Sequence, residues 1–230
     1  MKMIHPNKLG AVMEMKLRAL FSKNFIIMPI FAVGFTFIMK LVYGSVMSEE
    51  GLTDQLRALA LSYGALMNVT MTGIYCVSAA LAEEKEKHTL RVLMTSSVNG
   101  LEFFLGSMIP ILLMMMVVNI ILVPITGLSM NASEWAAFLG VSALAAAVSA
   151  VIGMIFGIFA KNQITAGTIT TPALLIFMMI PMFSYFNEKM QMVSDVLFTW
   201  VLMQTVNNIA NGAQKLISSK SMIVLILEVV

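Results

Sequence analysis

Five runs of apolar residues, each long enough to cross a lipid bilayer, dominate this sequence: 25–43, 58–82, 103–126, 135–160 and 164–186. A helix needs roughly 20 apolar residues to cross about 30 Å of hydrocarbon. No water is present there, so each backbone N–H and C=O must find its partner within the segment, which a helix provides. Composition points the same way. Hydrophobic residues make up 59% of the chain and charged ones 11%, with a mean hydropathy of +0.91. Soluble domains have about 45–50% apolar and about 25% charged residues. Too few polar side chains remain to cover a surface in water, so the expected fold is all-α, a polytopic membrane bundle forming one transmembrane domain over 1–230.

The segments between the runs complete the layout. Leu9, Met13, Leu17 and Leu20 repeat at helical spacing among Lys8, Lys16, Arg18 and Lys23. With Pro6 suited to a first turn, residues 6–23 read as an amphipathic helix on the membrane surface. The N-terminus lacks the short apolar core and cleavage site of a signal peptide, so the first span is expected to stay as an anchor. Residues 187–220 alternate polar and apolar, and Val196–Val206 is too short to span. The segment reads as re-entrant or amphipathic at the outer face. The run 221–230 is also too short, and reads as the start of a sixth span cut short at Val230.

Charge sets the expected orientation. With the N-terminus in the cytoplasm, Lys2, Lys8, Lys16, Arg18, Lys23, Lys85, Lys87, Arg91 and Lys161 lie inside, and Lys40, Arg57, Lys189, Lys215 and Lys220 outside. That bias places 83–101 in the cytoplasm. The absence of disulfide pairing and of a long soluble domain fits a plasma membrane. A net charge of +2 gives no dense basic face for nucleic acid. Cys76, the only cysteine, sits in an apolar run and reads as a buried small hydrophobe.

Catalytic and cofactor motifs are missing. There is no GxxxxGK[ST] loop, no HExxH, no CxxC and no GxSxG, and His5 and His88 are far apart. No catalytic residue, metal ligand or cofactor is expected in this chain. Charges within membranes mark ion and proton pathways. Their scarcity in the spans weighs against a secondary transporter.

The segment 83–101 is the informative one. Glu83, Glu84, Lys85, Glu86, Lys87, His88 and Arg91 make it the most charged stretch, and Leu90, Leu93 and Met94 share a helical face beyond it. Four carboxylates, with Glu102, exceed what a positive-inside loop needs. A short amphipathic helix docking a partner fits, as does a solvated loop. Glu84, Lys85, Glu86, Thr89, Leu90 and Leu93 resemble the loop of ABC-2 type exporter permeases, E-[KR]-E-x-G-T-L with a further leucine. His88 stands where glycine is usual, and Ser97 near the usual proline.

The resemblance extends to the layout: an interfacial helix, six spans, a coupling helix between spans 2 and 3, and a dip before span 6. It implies a dimeric pathway, formed with an identical copy or a close paralogue, and separate cytoplasmic ABC ATPase subunits that bind ATP and Mg. The implied ATPase contact is Glu83, Glu84, Lys85, Glu86, Lys87, His88, Thr89, Leu90 and Arg91.

Further residues are open to two readings. Asn68 and Asn119 could line the pathway or bond helix to helix. Thr165, Thr168 and Thr171 could line it or bond back to their own helix. Ala145, Ser149, Gly153 and Gly157 suit close packing of helices, within the chain or at a dimer seam. The 23 methionines suit either an adaptable apolar pathway or lipid-facing filler. The expected function is the permease subunit of an ATP-driven exporter of an amphipathic or lipophilic substrate, peptide or drug. The alternatives are a non-transporting scaffold or immunity protein and a secondary transporter.

Overall fold

A computed structural model describes residues 5–20, 23–46, 53–89, 99–184 and 187–229. Among them every element is a helix. These are α1 (Pro6–Leu20), α2 (Lys23–Val46), α3 (Asp54–Glu86), α4 (Gly100–Thr126), α5 (Ala132–Phe159), α6 (Gln163–Phe183), α7 (Glu188–Ser194), α8 (Phe198–Ala210) and α9 (Ser219–Val229). Five of them, α2 to α6, are long and apolar enough to cross a membrane.

Helix ends are written in local chemistry. The Asn99 side chain accepts from the backbone of α4 while Glu102 reaches back to the Asn99 N–H, and Asn131 with Glu134 repeats this reciprocal cap on α5. The α4 helix stops at Gly127, whose φ of 76° is cheap only for glycine.

Helix α3 is the axis of the bundle, and its middle is widened into a π-helix over Asn68–Cys76. Its neighbours approach closely because small residues face it. Ala145, Ser149, Gly153 and Gly157 of α5 are all buried against α3. A Cβ on Gly153 would stand 2.5 Å from the Gly73 carbonyl oxygen, and the Ser149 hydroxyl donates to Val69 O at 2.6 Å. The stripe therefore packs within the chain. On α2 the buried residues Phe25, Pro29, Ala32 and Thr36 form one stripe, while Ile27, Ile30, Phe37, Ile38 and Leu41 are exposed. An apolar outer face of this kind suits lipid.

The face of α1 that packs is Leu9, Val12, Met13 and Lys16, where Gly106 of α4 opens a seat for Val12. Leu17 is exposed. The apolar stretch within 187–220 packs into the bundle. Helix α8 is buried along most of its length, with Phe198, Val201, Leu202 and Val206 in the main core beside Leu61, Leu122 and Phe138. Aromatic packing of Phe198 on Phe177, with centroids 5.1 Å apart, joins it to α6. Helix α7, by contrast, exposes Met190, Met192 and Val193.

Candidate functional site

Residues Glu83–Glu86 are the last turn of α3 rather than a free loop, so the charged stretch begins on a rigid helix. Helical spacing sends its side chains in different directions. Glu84 turns toward α1 and pairs with Lys16, whose side chain is 8% exposed against 17% for Glu84. The Lys16 ammonium also sits 4.7 Å above the centre of the Phe103 ring. Burial pushes Lys16 below the usual lysine range, and Glu84 opposes the shift. Lys85 donates to the Ile158 carbonyl oxygen at 2.7 Å, where the C-terminal carbonyls of α5 attract a cation. Glu86 accepts from the backbone N–H of Gln163 at 3.3 Å, at the start of α6. Lys87 pairs with Glu83 one turn back, and that bond holds Lys87 above its ordinary range.

A second joint lies next to this one. Fully buried Glu102 accepts from Asn99 N at 2.8 Å and from His5 N at 2.7 Å, fastening the start of α1 to the start of α4. One end of the bundle thus holds together α1, the end of α3, the start of α4 and the α5–α6 turn. A cavity of about 330 Å³ lies among them, lined by Lys16, Phe25, Leu81, Glu84, Ser107 and Met154.

The structure divides the expected contact set. Glu83, Glu84 and Lys85 are partly buried and bonded internally, whereas Glu86, Lys87, His88 and Thr89 form an exposed rim. The Thr89 hydroxyl closes the helix end by donating to Glu84 O at 3.1 Å. His88 has φ 57°, the left-handed conformation, at the position where a glycine was expected. Leu90 and Arg91, with Leu93, Met94 and Ser97, lie outside the described residues. Sequence reasoning missed Lys16 and His5 as partners. The signal for the latch was present in Asn99 and Glu102, three apart as in a capping box.

The residues considered for a pathway separate in the same way. Asn68 and Asn119 are sealed in the α3–α4 contact and bond helix to helix. Both are fully buried, with Asn68 Nδ2 donating to Asn119 Oδ1 at 2.8 Å and to Met115 O at 2.9 Å. Thr72 donates to Asn68 Oδ1 at 3.2 Å. Thr165 serves the α6 cap, its N–H and hydroxyl both bonded to Asn162 Oδ1 at 2.8 Å. Thr168 and Thr171 bond back to Ile164 O and Gly167 O, yet both stay exposed along an open groove of about 500 Å³ that includes Tyr75 and Gly167. Among the described residues no group of three His, Cys, Asp or Glu side chains could hold a metal ion.

No curated protein sequence matches this chain. Residues 47–230 match the family described as ABC-2 family transporter protein, a span that takes in α3 to α9 and leaves out α1 and α2. That match covers well over half of the chain, which therefore belongs to the ABC-2 transporter family, as a multi-pass membrane permease component of an ABC transporter and not its catalytic part.

Proposed function

We propose that this permease is the pathway subunit of an exporter in the plasma membrane, its N-terminus in the cytoplasm. A separate ABC ATPase binds ATP and Mg and engages the rim at the end of α3, Glu86–Thr89, together with Leu90 and Arg91. The observation that carries this reading is the rigid joint behind the rim. Lys16–Glu84, Lys85–Ile158 and Glu86–Gln163 tie that end of α3 to α1, α5 and α6, and His5–Glu102 ties the start of α1 on to α4. A push on the rim is therefore delivered to the bundle rather than absorbed by a loop. Packed interfaces of this kind shift as units rather than deform continuously.

The pathway forms against a second copy of this chain or a close paralogue. The groove along α6 supplies hydroxyls from Thr168 and Thr171 beside apolar surface, which suits an amphipathic or lipophilic substrate, peptide or drug. Such a wall can accept a polar group without charge in the membrane, where ionised side chains are costly.

The test is co-purification with the cognate ABC ATPase in lipid, with ATP hydrolysis measured with and without this chain. Charge reversal at Glu84 would also break the α1 latch, so it cannot separate docking from folding. Lys87→Glu with Thr89→Glu changes the exposed rim and removes its Lys87–Glu83 pair and Thr89–Glu84 O bond, but leaves the joints to α1, α5 and α6 in place. We expect the double variant to stay folded, melting slightly below the wild type, and to lose most of the complex and of the stimulated hydrolysis. A wild-type complex in that variant would sink the assignment of the rim.

A further inference from the structure

At the opposite end of the bundle, Lys40 poses an electrostatic question. It is the only charge inside the apolar run of α2, half-buried five residues before that span ends at Ser45. Five residues amount to about 7–8 Å along a helix, which a lysine stem can cover to reach the interface. Lys40 has no hydrogen-bond or ion-pair partner among the described residues. Its ammonium stands 4.0 Å from where a Cβ on Gly127 would be, above the end of α4.

The space around it is a built groove of about 430 Å³ lined by Lys40, Gly44, Ser45, Arg57, Thr126 and Gly127. Three helices supply these residues: the end of α2, the first turn of α3 and the end of α4. Arg57 bonds Asp54 through one nitrogen at 3.0 Å. That pair is neutral, so among the described residues Lys40 leaves the groove with one positive charge not matched by a carboxylate. Directly along α2 lie Phe37, Ile38, Leu41 and Val42, all exposed and apolar. The groove therefore joins a single positive charge at headgroup level to an apolar wall running into the bilayer.

We propose that this groove is a binding site for an anionic phospholipid, with the phosphodiester between Lys40 and Arg57 and an acyl chain along α2. The apolar wall selects a lipid over a free anion, and the charge balance selects a monoanion. Lysine and arginine side chains at headgroup level attract anionic lipid by this chemistry.

The test uses the full chain purified in a zwitterionic detergent and titrated with phosphatidylglycerol, phosphatidylcholine or inorganic phosphate while the melting temperature is read. Phosphatidylglycerol should raise it saturably, and the other two should not. Lys40→Gln and, separately, Arg57→Gln should each raise the half-saturating phosphatidylglycerol concentration about fivefold. Lys161→Gln, the same charge change at the other end, should leave it unchanged. No saturable rise, an equal rise with inorganic phosphate, or an equal loss in Lys161→Gln would overturn the lipid site. So would Lys40→Gln melting below the wild type in phosphatidylcholine, since the lysine would then have a partner within the protein.

Discussion

At the scale of single residues, two side chains at the charged end of α3 carry unequal costs. Lys16 and Glu84 are an ion pair mostly withdrawn from water, and the lowered Lys16 value says that burial outweighs the attraction. Removing one partner of a fully buried pair costs about 3–5 kcal/mol, whereas replacing both by apolar groups is often neutral or stabilising. Because Glu84 keeps 17% exposure, we expect Lys16→Met alone to cost about 2 kcal/mol in a reversible melt. Lys16→Met with Glu84→Leu should recover most of that loss. A double variant no more stable than the single one would mean that the pair does more than satisfy its own burial. His88 is the second case. A side chain with left-handed backbone angles costs about 1–2 kcal/mol relative to glycine, and His88 is exposed, with φ 57°. His88→Gly should stabilise the permease by about 1 kcal/mol, less the entropy that glycine adds to the unfolded chain.

The decisive elements are α3 and α5. Their contact depends on small residues, and the clearances rank the substitutions. A Cβ at Gly153 meets backbone oxygens at 2.5 and 2.8 Å, which cannot turn aside. At Gly157 it meets Leu81 Cβ and Cδ2 at 3.0 Å and Ser78 Cα at 3.2 Å, which need give way by only a few tenths of an ångström. Overpacking a tight interface costs about 1–3 kcal/mol. We expect Gly153→Ala near the top of that range and Gly157→Ala near the bottom, read as melting temperatures in detergent. The reverse order would mean that α5 moves away from α3 more easily than the carbonyl contacts suggest. The π-helix lies in the same contact: its Val69 carbonyl oxygen accepts from Ser149 of α5, while Asn68 bonds Asn119 and Thr72 through their side chains.

For the whole molecule, the two ends of the bundle have different chemistry. One carries the rim and the joints of α1, α3, α4 and the α5–α6 turn; the other carries Lys40, Arg57 and the caps of α3 and α5. The only native thiol, Cys76, is fully buried, so introduced cysteines can be labelled over a low background. With the N-terminus inside, an impermeant maleimide should label Ser133→Cys in intact cells, and Lys161→Cys only after the membrane is opened. The opposite pattern would invert the orientation drawn from the distribution of lysine and arginine.

The spans were legible in the sequence because hydrocarbon admits only segments that satisfy their own backbone, and runs such as 103–126 state that requirement residue by residue. The Glu84–Leu90 stretch was legible as a family likeness, and the small residues of α5 as a packing stripe. Their partners were not. Nothing local says that Lys16 meets Glu84, 68 positions away, or that Val12 seats on Gly106. The fate of α8 shows the same limit. Its length and polarity suit a surface helix, yet Phe198, Leu202 and Val206 fill a space that α3 and α5 leave between them. Local sequence determines which segments are helical and apolar, because those properties depend on neighbours along the chain. Which face is buried, and which charges are paired rather than presented, depends on shapes brought together from distant positions, and only the tertiary structure decides it.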